Sequence, residues 1–379
     1  MNADPRNFSE FFQRFDGLSS RVTVKQLRLA DAALMGWDAY VQRHPDATPY
    51  HRLGWLKSVE QAYGHRGLAL VAHSEDEVLQ GVFPLSLIRY PWGRPKLSSL
   101  PFCDVGGPLA DNECAHKALI AAGSQLLKDA GASTCEVRYA GASLASEDPS
   151  ADHQCLPKVR MLLDLPDSSE QLFQSFKPKL RSQIRKAWKN GLVADVSTSA
   201  SAVSRFYPVF AENMKRLGSP VHSLQWFLEL KEAYGDKMWV GLVRNRNQVI
   251  AGGVVLRNAD RAAIPWASTR MAFNHLAPNM LLYWALLAYS SDHGCRQFDF
   301  GRSTLNEGTY RFKRQWGASA HNLTWLQLHR EGGPPVNLNS AVADGTGGKL
   351  RLMVEVVWRR LPLILANAVG PRIRRYITL

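Results

Sequence analysis

The sequence predicts an α+β protein built from two copies of one domain. An internal repeat, a helix-and-hairpin pattern in each copy and the chain length all indicate this. The chain has 379 residues, which at roughly 100–200 residues per domain corresponds to two or three domains. Hydrophobic residues make up 45% of the chain and charged residues 21%. Such a composition is typical of a folded protein and excludes a largely disordered one.

The repeat relates residues 51–85 to residues 222–256. A gapless alignment gives nine identities in 35 positions, where average residue usage gives roughly two. The identical pairs are His51/His222, Leu53/Leu224, Trp55/Trp226, Ala62/Ala233, Tyr63/Tyr234, Gly64/Gly235, Val78/Val249, Gly81/Gly252 and Leu85/Leu256. We interpret these positions as core and turn residues rather than catalytic ones, because large aromatic side chains usually lie inside.

Each copy has the same pattern of predicted elements. A helix carries the tryptophan and ends at the Tyr-Gly pair, where glycine is a frequent helix stop. A strand, a polar turn and a second strand then form a hairpin. The predicted strands are Leu68–Ala72 and Val78–Leu85 in the first copy, and Met238–Val243 and Val249–Leu256 in the second. Gly81 and Gly252 lie inside strands, which predicts a bulge or a close approach of another group.

The second copy continues with three further predicted elements. They are a strand at Ala262–Ala267, a helix at Asn279–His293 with Asn279 as its N-cap, and a short strand at Gln297–Phe300. The predicted organisation is an N-terminal extension (1–19), a first domain (20–160), a second domain that carries the acceptor and catalytic residues (161–330), a linker (331–348) and a basic amphipathic C-terminal segment (349–379).

Charge and cysteine usage restrict the partners and the compartment. The net charge of +13 favours anionic partners such as phosphorylated substrates, nucleic acid or an acidic membrane surface. The five scattered cysteines form no CxxC pair, which argues against a zinc site or disulfide framework and favours a reducing compartment. The longest apolar runs, Met280–Tyr289 and Leu361–Gly370, are too short to span a bilayer. We therefore expect a cytoplasmic protein that is able to touch the inner face of a membrane.

A run of basic residues opens the second copy. Six lysines and arginines without an acid lie between Lys177 and Asn190. Leu180, Ile184 and Ala187 form an apolar stripe, so the run is predicted to be an amphipathic helix. Its basic side chains are either a solvated surface or a phosphate-binding face, since arginine gives bidentate contacts to phosphate. The candidate phosphate-binding residues are Lys179, Arg181, Arg185 and Lys186.

Two segments resemble FemAB-like acyltransferases. Phe176–Leu192, FKPKLRSQIRKAWKNGL, resembles the basic helix that opens the second domain of that family, and Phe298–Ala318, FDFGRSTLNEGTYRFKRQWGA, resembles the segment that closes it. The chain is similar to the FemAB-related proteins associated with exosortase/PEP-CTERM and exopolysaccharide gene clusters. This resemblance implies two tandem GNAT-like domains, each a mixed central sheet flanked by helices. It also implies transfer of an acyl or aminoacyl group to an amine, with neither a metal nor a redox cofactor.

The acyl donor implied by the resemblance is a co-substrate, either an acyl-CoA or an aminoacyl-tRNA. GNAT enzymes that use coenzyme A carry a glycine-containing loop whose backbone N–H groups hold the pyrophosphate at a helix N-terminus. Residues 270–279 occupy that position here and contain no glycine, and Pro278 has no N–H to donate. The departure makes coenzyme A the weaker expectation, and FemAB relatives that use charged tRNA also lack the loop.

A second group of polar residues, within residues 299–314, supplies candidate catalytic residues. Acyl transfer needs a neutral amine, a stabilised oxyanion and a protonated leaving group. Lys313 is predicted to supply a cation, and the resemblance supports it, because Phe312-Lys313 matches a catalysis-linked pair in relatives. Tyr310 is predicted to donate a hydrogen bond, and Asp299 or Glu307 to orient or deprotonate the amine. Asp299 has a structural alternative, an ion pair with Arg302 or Arg181.

Three further residues of this group are predicted to bind substrate. They are Phe312, Arg302 and Arg314. Substrate with anionic phosphates is expected, and tRNA is one candidate.

The C-terminal segment, residues 349–379, is a separate basic element. It has seven basic residues and one acid, Glu355, with hydrophobic side chains interleaved. A basic amphipathic segment of this kind fits an anionic membrane surface. The alternative is that it docks on the first domain with its basic side in water. The same basic surfaces leave two other functions open for the whole chain: a non-catalytic adaptor in polysaccharide or envelope assembly, or a nucleic-acid-binding protein.

Overall fold

The computed structural model describes residues 22–143, 158–338 and 355–378. The predicted N-terminal extension, residues 339–348 of the predicted linker and residues 349–354 of the C-terminal segment lie outside the described residues. So does Cys155. Within the described residues the fold is α+β, as predicted.

The first half of the chain contains six strands and four α-helices within its described residues. In chain order they are β1 (Thr23–Leu27), α1 (Leu29–Leu34), α2 (Trp37–Arg43), α3 (Leu53–Tyr63), β2 (Arg66–His73), β3 (Leu79–Ile88), β4 (Lys96–Ser98), β5 (Leu109–Ala110), α4 (Glu113–Asp129) and β6 (Thr134–Ser143).

The rest of the chain begins with β7, which follows the first copy, and then contains the second copy with additional helices and the C-terminal helices. The elements are β7 (Lys158–Asp164), α5 (Ser169–Ser175), α6 (Pro178–Lys189), β8 (Leu192–Ser197), α7 (Ala200–Leu217), α8 (Leu224–Tyr234), β9 (Met238–Asn245), β10 (Gln248–Asn258), β11 (Arg261–Thr269), α9 (Pro278–Asp292), β12 (Gln297–Thr304), α10 (Gly308–Arg314), β13 (Ser319–His329), β14 (Val336–Asn337), α11 (355–360) and α12 (Leu363–Arg374).

The described strands form one mixed sheet in the order β1-β2-β3-β4-β6-β13-β7-β12-β11-β10-β9-β8. It is mixed because β4 runs parallel to β6 and β11 runs parallel to β12, whereas the other neighbours are antiparallel. The order is symmetric: β7 follows the first copy but pairs with β12, and β13 follows the second copy but pairs with β6. Each copy therefore completes the sheet of the other with its last strand. The predicted domain division at residue 160 falls inside β7.

The predicted repeat units are confirmed. The helices α3 and α8 end at Tyr63 and Tyr234, and Gly64 and Gly235 follow with positive φ of 67° and 54°. Each helix is followed by the predicted hairpin, β2–β3 or β9–β10.

The predicted N-cap of the helix at 279–293 is wrong by two residues. The helix begins at Pro278, and its N-cap is Ala277 in the left-handed conformation with φ 62°. Proline is well suited to the first helical position, because its N–H would have no intrahelical partner there. The strand predicted at Gln297–Phe300 also extends further, to Thr304.

The two copies pack together through their equivalent helices, α3 and α8. Trp55 and Trp226 occupy the same position in the repeat and meet edge to face, with ring centroids 5.2 Å apart. Both are fully buried. Gly54 allows this approach, because a Cβ there would lie 3.1 Å from the Tyr234 ring and 3.2 Å from the Ala233 carbonyl oxygen. The repeated tryptophans thus form the core between the halves, which confirms their predicted structural role.

The repeated glycines inside the strands are sites of close approach. A Cβ on Gly81 would lie 2.9 Å from the Leu119 side chain, and one on Gly252 would lie 2.9 Å from Phe206. A helix therefore packs directly on each strand at these positions.

The C-terminal segment docks on both halves of the protein. Gly370 of α12 packs against Val221, and Trp358 of α11 is buried. Arg374 donates to Nε2 of His222 at 3.1 Å, and burial lowers the pKa of this arginine to about 10. The Thr378 carbonyl accepts a hydrogen bond from the Phe102 amide at 2.6 Å. Docking on the first domain was one of the two alternatives left open for this segment. The structure extends it to the junction of the two halves.

No helix among the described residues is both long enough and apolar enough to cross a bilayer.

Trp55→Ala is expected to lower the free energy of unfolding by about 3–5 kcal/mol, because it leaves a cavity between the halves. The matched control is Trp92→Ala, since Trp92 is 88% exposed and its removal should change stability by less than about 0.5 kcal/mol. Urea unfolding followed by far-ultraviolet circular dichroism measures both. Equal losses for the two variants would contradict the proposed role of the Trp55–Trp226 contact.

Candidate active site

The candidate site lies where β11 and β12 separate. These parallel strands pair only at Arg261–Ala263 and Gln297–Asp299. Beyond Asp299, β12 shifts register against β7 and resumes pairing at Arg302. Gly301 lies in this irregularity with φ 73°, a conformation that favours glycine. The irregular segment turns backbone groups of β12 toward α10, which follows it.

Lys313 of α10 reaches back into this irregularity. Its Nζ donates to the carbonyl oxygens of Gly301 at 3.0 Å and Arg302 at 2.8 Å. The side chain is buried. Burial lowers the pKa of Lys313 to about 8, and the carboxylates of Asp104 and Asp299 oppose that shift. An ammonium has three N–H donors, and these two carbonyls use two of them. Lys313 is therefore protonated at neutral pH, and its surroundings stabilise the positive charge only weakly.

Asp299 lies beside Lys313 and is held in a buried ion pair. Its Oδ2 accepts from Nε of Arg160 at 2.7 Å, and its Oδ1 accepts from the Gly301 amide at 2.7 Å. The expected ion pair of Asp299 with Arg302 or Arg181 is therefore wrong, because its partner is Arg160 of β7. Because both carboxylate oxygens are engaged, the geometry favours a role in fixing the β12 irregularity over a role as a base.

Arg302 connects the site to the first half of the molecule. Its amide donates to Oδ2 of Asp104 at 2.9 Å, and its Nε lies 3.6 Å from Oδ1 of that residue. Its guanidinium lies 4.6 Å from the ring centroid of Trp325, on β13. Trp325 in turn donates from Nε1 to the Asp104 carbonyl at 3.0 Å. Residues from both copies thus build the surroundings of Lys313.

The other predicted residues of this group lie on or beside α10. Tyr310 is buried in the core of the second half. Phe312 is half-buried and packs edge to face on Tyr283, with ring centroids 4.9 Å apart. Glu307 and Arg314 are exposed at the two ends of the helix. The structure therefore brings Lys313, Asp299 and Arg302 together, whereas Glu307 and Arg314 face solvent.

The predicted basic helix is α6, and its apolar stripe is buried as expected. Leu180, Ile184 and Ala187 are buried, whereas Lys179, Arg185 and Lys186 are exposed. Arg181 is half-buried, and its Nε has no hydrogen-bond partner among the described residues. The first turn of α6 carries no acid, so the positive end of the helix dipole is not balanced by a negative side chain. A bound anion would balance this charge and would accept a hydrogen bond from the Arg181 Nε.

Aromatic packing brings α6 next to α10. Phe176 immediately precedes α6 and meets the Trp316 ring edge to face, with centroids 5.5 Å apart. Trp316 follows Lys313 by three residues and also contacts Phe312. The basic helix and the candidate catalytic lysine therefore belong to one region of the second half.

Residues 270–279 form a 3₁₀ helix at Met271–Leu276 followed by the start of α9. Three of their amides are already used: Arg270 donates to the Ile250 carbonyl, Phe273 to Arg270, and Ala277 to Asn274. These bonds, together with Pro278, which has no N–H, remove four of the ten backbone positions as donors to a pyrophosphate.

The equivalent separation in the first half is filled by the protein itself. β4 and β6 pair only at Leu97–Ser98, and the amides of Gly106 and Gly107 then donate to the Arg138 carbonyl at 3.1 and 2.7 Å. The Arg138 guanidinium is fully buried and donates to the Leu100 carbonyl at 3.0 Å. These contacts occupy the region that corresponds to the Lys313 site.

Sequence reasoning missed Asp104, Arg160 and Trp325. They come from a first-half loop, β7 and β13, all far from residues 299–314 in the chain. The one available signal was Asp104 itself, a single carboxylate in the otherwise apolar and glycine-rich stretch PFCDVGG.

Comparison with known families gives one match. Residues 174–314 match the acetyltransferase (GNAT) domain family. This range includes α6 and ends just after Lys313.

Comparison with known proteins agrees with that match. The chain is 21% identical over 168 residues to a UDP-N-acetylmuramoylpentapeptide-lysine N(6)-alanyltransferase from Weissella viridescens, covering 41% of this chain and 48% of that relative. The chain thus spans about half the length of this relative.

Two solved structures show the fold. The crystal structure of FemX has a TM-score of 0.62 at 14% identity, covering 88% of this chain and all of that one. A tandem GNAT protein from the clavulanic acid biosynthesis pathway has a TM-score of 0.50 at 13% identity, covering 83% and 99%. The fold is that of tandem GNAT proteins. The predicted fold class is confirmed.

Asp299→Asn is expected to lower the free energy of unfolding by about 3–5 kcal/mol, because it leaves Arg160 buried without its counter-charge. Asp195→Asn is the matched control, since Asp195 pairs with Arg244 at 3.0 Å in a half-exposed position and should cost less than about 1 kcal/mol. Chemical denaturation of both variants provides the measurement. A loss for Asp299→Asn as small as the control's would remove its assignment as a buried structural anchor.

Proposed function

We propose that the protein is an N-acyltransferase or aminoacyltransferase that acts on an amine of a phosphate-bearing cell-envelope or exopolysaccharide precursor. The observation that carries this proposal is the buried Lys313, with its lowered pKa, inside a segment that matches the GNAT domain. The alanyltransferase relative supports the aminoacyl form of the reaction. An association with the exosortase/PEP-CTERM system is part of the proposal and rests on the sequence resemblance alone.

The reaction begins when the neutral acceptor amine attacks the donor carbonyl carbon. A C–N bond forms, and the carbonyl oxygen becomes an oxyanion. The bond to the leaving oxygen or sulfur then breaks, and the proton lost by the amine balances the charge on the leaving group. The Lys313 ammonium stabilises the oxyanion or donates to the leaving group, because its third N–H is not used by the Gly301 and Arg302 carbonyls. Tyr310 and Glu307 remain candidates for positioning the amine.

The preferred donor is an aminoacyl-tRNA. Residues 270–279 contain no glycine, and Pro278 supplies no N–H. The amides of Phe273 and Ala277 donate to carbonyl oxygens of the same segment. Such a segment is poorly built to hold a coenzyme A pyrophosphate, which needs several free amides. Acyl-CoA is the alternative donor, and no other cofactor is required.

The acceptor phosphates are assigned to α6. Arg181 and Arg185 lie four residues apart on one helical face. The Nε of Arg181, which has no hydrogen-bond partner among the described residues, would donate to a phosphate oxygen, and Lys179 and Lys186 would add charge. Arg302 and Arg314 are less suited to this task, since Arg302 is engaged by Asp104 and Trp325.

The proposed place of action is the cytoplasm, at the inner face of the membrane. The C-terminal segment is basic and carries exposed hydrophobic side chains, of which Ile364 is 82% exposed. Docking of its other face on the protein leaves these side chains available to anionic lipid.

Lys313→Met is expected to lower the rate of transfer roughly 100- to 1,000-fold, while the acceptor KM changes far less, because the lost cation acts on the transition state. The assay uses alanyl-tRNA and acetyl-CoA in turn as donors, with a lysine-containing UDP-linked muropeptide as acceptor. Lys237→Met is the control, because the Lys237 side chain is 40% exposed and pairs with its neighbour Asp236, away from the candidate site. Since burial lowers the pKa of Lys313 to about 8, the wild-type rate should fall as the pH rises through that value.

Chemical restoration of the ammonium tests whether the lost activity is due to the missing charge. The Lys313→Cys variant, alkylated with bromoethylamine, regains an ammonium at nearly the same position. Recovery of activity supports the catalytic role, and alkylated wild type controls for modification of the exposed Cys114. Transfer by Lys313→Met at the wild-type rate with both donors would contradict the catalytic role of Lys313.

Arg181→Gln combined with Arg185→Gln is expected to raise the KM for the phosphate-bearing acceptor at least about tenfold, because two charge-assisted hydrogen bonds are lost. For an acceptor peptide without phosphates, the KM should stay nearly unchanged. Arg205→Gln on α7 is the control, since Arg205 is also exposed on a helix. An equal KM increase for both acceptors would show that α6 does not bind the acceptor phosphates.

A further inference from the structure

A second element beside the C-terminal segment has the character of a membrane-binding loop. Residues 89–96, RYPWGRPK, run from the end of β3 to the start of β4 and contain three basic residues and no acid. Trp92 at the tip is 88% exposed, and Arg89, Arg94 and Lys96 are also exposed. A fully solvated tryptophan is unusual, because its large apolar surface normally packs in a core or interface.

This loop adjoins the end of α12. Tyr90 packs against Tyr376, with ring centroids 5.5 Å apart, and Tyr376 follows the last residue of α12 by two positions. Lys96 lies with its Nζ 5.7 Å from the Tyr90 ring centroid. His65 fixes the same region from the other side, because its Nε2 lies 2.7 Å from the Arg375 carbonyl oxygen. The loop and the helix are therefore held together by folded protein.

The solvent side of α12 carries four exposed hydrophobic residues. Ala366 and Gly370 are buried and pack on the protein. Ile364, Leu365, Val369 and Ile373 are 82%, 51%, 41% and 39% exposed; the last three are spaced four residues apart, and Ile364 adjoins Leu365. Arg360 and Arg372 are exposed beside them. A solvent-facing side this apolar, bordered by cations, is complementary to an anionic lipid surface and not to water.

We propose that loop 89–96 and the exposed face of α12 together form one docking surface for an anionic membrane, with Trp92 as its interfacial anchor. This inference rests on the proposed action at the membrane and extends it to a loop of the first half. The surface is fixed by Tyr90 and Tyr376 before lipid binds, so the C-terminal segment need not detach from the protein. Arginine and lysine would contact the lipid phosphates, while Trp92 and Ile364 would enter the headgroup boundary.

Sedimentation of the full chain with vesicles tests the surface. Binding is expected to vesicles of phosphatidylglycerol and phosphatidylcholine, and to be weak with phosphatidylcholine alone. Trp92→Ala should weaken binding about tenfold, since a large apolar side chain no longer enters the boundary. Ile364→Gln combined with Leu365→Gln should weaken it at least as much. Val78→Gln is the matched control, because Val78 is 58% exposed at the opposite end of the β2–β3 hairpin.

Each outcome supports or overturns a defined part of the inference. Loss of binding in both test variants, with Val78→Gln at the wild-type level, supports the composite surface. Binding that survives Trp92→Ala but not the helix variant overturns the role of the loop. Absence of wild-type binding overturns the membrane surface altogether, while transfer to a soluble acceptor reports separately on the transferase proposal. Tight binding of tRNA that depends on Trp92, without vesicle binding, would reassign the loop to nucleic acid.

Discussion

The contact between α3 and α8 is the constraint on which the rest of the structure depends. Each helix brings the same tryptophan to the same place, and Trp55 and Trp226 meet in the core between the two copies. Tyr63 extends this contact by bonding from its hydroxyl to Nδ1 of His222 at 2.6 Å. With the copies held in this orientation, β7 and β13 each complete the sheet of the other copy. Separation of the two halves would therefore break both the core and the sheet.

The exchange of final strands also builds the candidate site. Arg160 lies on β7, Trp325 lies on β13, and Asp104 lies in a loop of the first half. Around Lys313 the protein thus combines a desolvated ammonium with carboxylates that are already paired. The charge of such a lysine is costly to maintain, and an oxyanion formed beside it would be stabilised strongly. This combination distinguishes the second half from the first, where the corresponding region is filled by the loop 99–107 and Arg138.

The end of the chain links the two proposed surfaces of the protein. Arg374 enters the junction between the halves and contacts His222, while Arg375 donates to the Tyr63 carbonyl. This anchoring turns one face of α12 to solvent and brings Tyr376 against the loop that carries Trp92. The same contacts that close the interdomain core therefore orient the surface proposed to meet lipid. A protein arranged in this way would present its proposed acyl-transfer site near membrane-linked precursors.

The sequence by itself determined the duplication, the helix and hairpin of each copy and the basic helix α6. The nine identities revealed the repeat, and the matched Trp55 and Trp226 pack against each other in the structure. The stripe of Leu180, Ile184 and Ala187 predicted α6 correctly, since local periodicity decides which face of a helix is buried. Only the tertiary structure decided the partner of Asp299, the neighbours of Lys313 and the exposure of Trp92. The pairing of Asp299 with Arg160 and the approach of Asp104 to Lys313 join residues more than a hundred positions apart, and no local pattern encodes such contacts.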